Sequence, residues 1–201
     1  MNPWTDLDEV CDLVWSEIEA GASDPSHIFR TPTFATTGGK QPQVRTVVLR
    51  AADRQERHLI FHTDRRTGKT DDIRSGGRIA WHVWDPERSI QIRLQGDASI
   101  HTSDDVADGM WASEPAANLA HYLKSEAPGT GVSAPNDGLP GHLSSHEWSE
   151  DDVAAGRSNF AVVRTVIDQI DALHLLRGNH QRAVFAWNAG EKRFDGTWII
   201  P

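Results

Sequence analysis

The segment Ser89 to His101, SIQIRLQGDASIH, alternates in chemistry. Ile90, Ile92 and Leu94 share one face of an extended chain, and Gln91, Arg93 and Gln95 share the other. A period of two belongs to a β-strand with one buried face. The preceding run RIAWHVW is joined to it through Asp85-Pro86-Glu87-Arg88, so the two segments read as an antiparallel hairpin. Similar short runs place strands near residues 27–36, 43–51, 58–63, 78–84 and 88–100. Gly38-Gly39 and the polar segment 52–57 are the expected hairpin turns. Strand composition returns in FAVVRTVIDQIDALHLL and RAVFAWNAG near the end of the chain.

Helical patterning is confined to three places. Residues 4–20 carry Leu7, Val10, Cys11, Val14 and Ile18 at helical spacing, with Thr5 as the expected N-cap and Gly21 as the expected stop. A short helix is expected from Thr67 to Gly76, and another over 104–123 with Asp104 and Asp105 in its first turn, where the macrodipole favours them. Residues 125–158 are rich in Gly, Pro, Ser and acidic side chains, and are expected to form a long flexible loop. With no internal repeat, the 201 residues read as a single, mainly β domain: a β-barrel with helical additions.

Charge and cysteine usage limit the function. The formal net charge of −9 repels nucleic acid, so neither DNA nor RNA is an expected partner. Cys11 is the only cysteine, which excludes an internal disulfide and a cysteine-based zinc cluster. The N-terminus lacks the basic and apolar regions of a signal peptide, and no stretch has the apolar length of a membrane span. A cytoplasmic protein with no membrane partner is the expectation. His142, His146 and Glu147 have helical metal-ligand spacing, but they fall in the Gly/Pro/Ser-rich segment, and no metal site is assigned.

Against this acidic background, Arg45, Arg50, Arg65, Arg66 and Lys69 crowd into a short span. They form either a solvated basic face or a phosphate site. In RTVVLR, Arg45, Val47 and Leu49 point one way, and Thr46, Val48 and Arg50 the other. Thr63, Thr67 and Lys69 fall at the end of a strand and the start of a helix, where backbone N–H groups favour an anion. Hydroxyls and a lysine there, with arginine from a neighbouring strand, suit a phosphate dianion. The Gly68-Lys69-Thr70 tripeptide is not the tail of a P-loop, because the position five residues before Gly68 is Thr63 where that motif needs glycine.

In the order and spacing of these motifs the chain resembles the pyridoxamine 5′-phosphate oxidase-related, FMN-binding split-barrel family. RTVVLR at 45–50 matches the family's strand of arginine, aliphatic residues and a closing basic residue. FHTD at 61–64 matches its aromatic-Thr-acid strand, Thr67-Gly68-Lys69 its hydroxyl-Arg-Lys turn, QIRLQG its glutamine strand, and GNHQR its C-terminal basic segment. The resemblance spans roughly residues 27–123 and 160–201. It implies FMN as cofactor, an FMN-binding split-barrel fold and a homodimer with FMN at the subunit interface. Arg45, Lys69, Thr63 and Thr67 would hold the phosphate and ribityl chain. The backbone of Thr46, Val47 and Val48 would face the flavin ring, Arg50 and Gln91 its polar edge, and Arg182 would enter from the C-terminal segment. His62 borders the same site. His62 and His180 are the candidates for proton handling, since histidine titrates near neutral pH.

The pattern breaks at the substrate end. Trp111 and Glu114 stand where the vitamin B6 oxidases place an aromatic hydroxyl and an arginine, and a glutamate facing a phosphate weakens its binding. Gly178-Asn179-His180 keeps only the histidine of the family's Arg-x-His pair, and Trp198-Ile199-Ile200-Pro201 replaces its C-terminal Arg-Leu-x-Pro. Gly68 takes the place of the turn's arginine, with Arg65 or Arg66 as the available substitutes. The resemblance thus implies an oxidoreductase that passes hydride from an unknown small-molecule substrate to flavin N5, and then to an acceptor such as O₂, with a diverged substrate pocket. A non-catalytic flavin carrier or redox sensor, and a split barrel binding haem or a deazaflavin, stand as alternatives. Trp81, Trp84 and Trp111 read as packing or interface residues.

Overall fold

The computed structural model describes residues 3–38, 41–76, 78–140 and 148–201. Helix α1 (Leu7–Ser23) leads through a 3-10 turn at Ile28–Arg30 into β1 (Thr33–Gly38) and β2 (Gln41–Thr46), which pair as an antiparallel hairpin with Gly38 opposite Gln41. The turn residue Gly39 lies outside the described residues. Strands β3 (Ala51–Asp53) and β4 (His58–Asp64) form a second hairpin, followed by α2 (Gly68–Arg74). The hairpin of β5 (Ile79–Asp85) and β6 (Ile90–His101) has the expected alternation, with Ile90, Ile92 and Leu94 buried. Short helices α3 (Asp105–Ser113), α4 (Ala116–Leu119) and α5 (Glu150–Val153) precede β7 (Phe160–His174), β8 (Gln181–Asn188) and β9 (Arg193–Ile199).

Nine strands form one antiparallel sheet in the order β2-β1-β5-β6-β7-β4-β3, with β8 and β9 branching from β7. The branch comes from the length of β7. Its first half pairs with β4 and its second half with β8, while β6 follows it along both. The β6–β7 register shifts between Gln95 and Gly96, a bulge that bends the pair. Glycine is required there: a Cβ at position 96 would strike the Val166 carbonyl oxygen.

The main core lies inside the barrel. Phe34, Phe61 and Trp81 meet edge to face there with centroids 4.8, 5.0 and 5.6 Å apart, the favoured aromatic geometry. Helix α1 caps this core with Val10, Val14, Trp15 and Ile18. A second, smaller core sits on the other face of β4 and β7, where Ile60, Phe160 and Val162 meet Ala107, Leu119, Ala120 and Val153. Strand β4 is therefore covered on both sides, which fixes the direction of every side chain at its C-terminal end.

Several boundaries differ from the sequence reading. Asp6, not Thr5, caps α1, accepting a hydrogen bond from the Glu9 N–H at 3.0 Å. Gly21 does not stop the helix; its bare Cα leaves the room that Phe29 occupies. The strand expected at 27–36 begins only at Thr33. RTVVLR is not one strand, because β2 ends at Thr46 and residues 47–50 cross between neighbours: Val47 N–H donates to Pro32 O, Leu49 N–H to Arg30 O and Arg50 N–H to Ile60 O. The helix expected over 104–123 breaks at Glu114, whose backbone is extended (φ −88°, ψ 139°) as the residue before Pro115 prefers. From within the expected loop to just past its end, residues 150–159 are helical, opened by a capping box between Ser149 and Asp152, and Val153 is buried. Trp81 and Trp111 pack, as expected, while Trp84 is exposed.

Candidate functional site

The end of β2 with the crossing segment 47–50, the C-terminal end of β4, Lys69 at the start of α2 and Tyr122 beyond α4 enclose a cleft of about 270 Å³. Its lining includes Arg45, Thr46, Val47, Val48, Arg50, His62, Thr63 and Lys69 from the expected set, together with Phe61 and Tyr122. Each arrives there for a local reason. The crossing puts Val47 and Leu49 into the core, and so presents Thr46, Val48 and the residue 50 side chain away from it. Thr67 caps α2 and ties its hydroxyl back to Asp64 O at 2.9 Å, which folds the start of the helix against the end of β4.

One end of the cleft is cationic and rich in hydroxyls. Lys69 Nζ donates to Thr63 Oγ1 at 2.9 Å and to Thr67 Oγ1 at 3.1 Å. The Arg45 guanidinium donates to Thr36 Oγ1 at 2.8 Å, and Thr36 in turn donates to Asp72 at 2.6 Å. Burial lowers the Lys69 pKa, and repulsion from Arg45 lowers it further. Burial also lowers that of Arg45, with Asp72 opposing the shift. Two partly desolvated cations thus stand close together, and among the described residues no carboxylate is ion-paired with Lys69. Asp64 is committed to Arg66 at 2.7 Å. The same bond removes Arg66 as a substitute for the turn's missing arginine, since it also donates to Lys124 O and Ser125 O. Arg65 is exposed and does not line the cleft.

The other end is built around a carboxylate behind the wall. Glu114 Oε2 lies 3.5 Å from the Arg50 guanidinium and accepts from Asn118 Nδ2 at 2.8 Å. Glu114 Oε1 lies 3.5 Å from His62 Nδ1. The His62 ring packs against Phe160 with centroids 4.9 Å apart, and its buried Nε2 has no partner among the described residues. Burial pulls its pKa down to about 4, opposed by Glu114 and helped by Arg50. Burial thus favours the neutral imidazole at physiological pH. Burial pushes the Tyr122 phenol up, so it stays protonated. Arg30 lies behind this end, donating to Ala22 O at 2.7 Å, and burial with repulsion from Arg50 lowers its pKa.

Thr67 joins the site through Lys69, but three expected residues lie elsewhere in the chain. Gln91 sits on β6 facing His82 Nε2 at 3.3 Å. Arg182, on β8, pairs with Asp171 at 2.8 Å. His180 is exposed in the β7–β8 turn. Sequence reasoning did not single out Tyr122, Asn118, Thr36 or Asp72. Only Tyr122 carried a signal, as the one tyrosine of the chain. No cluster of His, Cys, Asp or Glu with metal-binding geometry occurs among the described residues, and His142, His146 and Glu147 lie outside them.

Partly desolvated Lys69 and Arg45, with two threonine hydroxyls able to turn and donate, form a donor-rich set, which fits a phosphate monoester. Residues 12–102 match the family model of the pyridoxamine 5′-phosphate oxidase, FMN-binding domain. Over that segment the chain is similar to this FMN-binding family.

Solved structures extend the likeness of fold along the whole chain. A pyridoxamine 5′-phosphate oxidase-related, FMN binding protein from Nostoc punctiforme PCC 73102 superposes with a TM-score of 0.69 at 22% identity, over 100% of this chain and 98% of that one. PhzG from Burkholderia lata 383, solved in complex with tetrahydrophenazine-1-carboxylic acid, gives 0.64 at 14% identity, over 96% and 92%. A Clostridium acetobutylicum protein related to general stress protein 26 gives 0.57 at 9% identity, over 94% and 100%. At such identities the likeness concerns the fold, and the fold is the mainly β, pyridoxamine 5′-phosphate oxidase-like split barrel expected from the sequence. No curated protein matches the chain.

Proposed function

We propose that the chain is an FMN-binding oxidoreductase of the pyridoxamine 5′-phosphate oxidase type whose substrate pocket has diverged. The observation that carries this reading is the Lys69 ammonium, partly desolvated beside Arg45 and, among the described residues, hydrogen-bonded only to threonine hydroxyls. Such a site is stabilised by an incoming dianion. Arg45, Lys69, Thr63 and Thr67 would hold the phosphate, and the backbone of Thr46, Val47 and Val48 would flank the ring. Arg50 would offer a donor to the ring's polar edge, with neutral His62 and protonated Tyr122 lining the cleft beside it. FMN, when bound, supplies a two-electron acceptor for substrate hydride and passes the electrons on to an acceptor such as O₂.

Gln91 and Arg182 do not line the cleft of their own chain. In this reading they serve the cleft of a second copy, in a homodimer with FMN between subunits. No helix among the described residues is long and apolar enough to cross a membrane, and we place the protein in the cytoplasm. The test is the visible absorption spectrum of the purified protein, with its cofactor released by heat and weighed by mass spectrometry. Released FMN supports the reading. A haem spectrum, a deazaflavin mass, or a colourless protein that takes up no added FMN would reject it.

A further inference from the structure

Glu114 does not line the cleft, yet it acts on two residues that do. Its backbone is fixed in extended form ahead of Pro115, and its N–H donates to Trp111 O as the cap of α3. The side chain is only 12% exposed. Asn118 holds Oε2 from one side, Arg50 faces it from another, and His62 faces Oε1. A carboxylate held on three sides cannot swing away as a surface glutamate would. Its charge therefore offsets that of Arg50 permanently, and the remaining wall residues there, His62 and Tyr122, are uncharged. Arg30 is set behind them, tied to Ala22 O, and does not line the cleft. The cleft is consequently polarised: cationic at Lys69 and Arg45, and lower in net charge at Arg50, where Glu114 offsets one of two neighbouring guanidiniums.

We infer that Glu114 is a specificity-determining positioning residue, which offsets Arg50 so that the FMN-loaded cleft accepts one anionic group, at Lys69, and takes a neutral or cationic molecule, not a phosphate ester, beside the flavin's polar edge at Arg50. The inference rests on the proposed occupation of the Lys69 end by FMN. It makes the substrate an amine, alcohol or other non-anionic reductant.

The experiment uses FMN-loaded protein titrated with phenyl phosphate, phenol and benzylamine, which share a ring and differ in charge, with binding read by calorimetry. Wild-type protein is expected to bind phenyl phosphate no more tightly than phenol. Glu114→Gln, which frees the Arg50 charge, is expected to gain at least about tenfold for phenyl phosphate and nothing for phenol, and Arg50→Met/Glu114→Gln to lose that gain. Arg50→Met alone leaves the carboxylate uncancelled, and is expected to favour benzylamine over phenol by about tenfold more than wild type does. A tenfold phosphate preference in the wild type, or unchanged ratios in Glu114→Gln and Arg50→Met, overturns the inference. Failure of the wild type to load FMN at all would instead defeat the reading beneath it, so the two failures are distinguishable.

Discussion

Replacing Lys69 with methionine separates binding from folding, because the two effects are expected to have opposite signs. In the ligand-free protein the ammonium is partly desolvated, repelled by Arg45 and rewarded only by two neutral hydroxyls. Methionine fills similar volume without the charge, and Thr63 and Thr67, whose hydroxyls stand 3.4 Å apart, can bond to each other. Ligand-free stability is therefore expected to hold or to rise by up to about 1 kcal/mol, since removing a poorly compensated buried charge is often neutral or favourable. With FMN the balance reverses. A hydrogen bond to a charged group contributes about 1.5–3 kcal/mol, and at about 1.4 kcal/mol per decade its loss should weaken FMN roughly ten- to a hundredfold. Riboflavin, which lacks the phosphate, should bind both proteins alike. The assay is flavin fluorescence titration of wild type and Lys69→Met, beside urea denaturation of each without ligand. A variant that unfolds more easily yet keeps its FMN affinity would refute the reasoning and make Lys69 a structural residue.

Three further outcomes follow from the same geometry. Gly96→Ala forces a methyl group against the Val166 carbonyl at the β6–β7 bulge, and should cost about 2–4 kcal/mol in urea denaturation; a change below about 0.5 kcal/mol would mean that the bulge relaxes freely. His62 has its pKa lowered from 6.5 to about 4 in the folded chain, so the unfolded chain binds the proton more readily, and stability should fall as pH drops from 6.5 towards 4. His62→Phe should lose that component of the pH dependence, by a stability difference of the order of 2–3 kcal/mol between pH 7 and pH 4; parallel curves for the two proteins would contradict the buried neutral imidazole. Finally, mixing Lys69→Met chains with Arg182→Ala chains should restore FMN binding at one site per mixed dimer, whereas a site built from a single chain would show no rescue.

The β5–β6 hairpin was legible because a one-sided sheet writes its period into the sequence, and Ile90, Ile92 and Leu94 are buried as that period requires. The cationic end of the cleft was legible for a related reason: Thr63, Thr67 and Lys69 are neighbours in sequence as well as in space. What escaped the sequence depends on distant segments meeting. The pairing of Glu114 with Arg50 and His62 exists only because the helices after β6 fold back over β4, and nothing local to Glu114 announces its partners. The break at Pro115 was readable from the restriction proline places on the preceding residue, but helical spacing on both sides masked it. The helical turns at 150–159 were hidden by their composition, although Ser149 and Asp152 already carried a capping pattern.

The central claim is that the Lys69 end of the cleft is a phosphate site and that FMN occupies it. Its most direct test is calorimetric titration of the cofactor-stripped protein with FMN and, separately, with riboflavin. One FMN per chain, bound at least about a hundredfold more tightly than riboflavin, is the expected result, as charged hydrogen bonds of about 3 kcal/mol require. Equal affinity for the two flavins, or no binding of FMN, would contradict it.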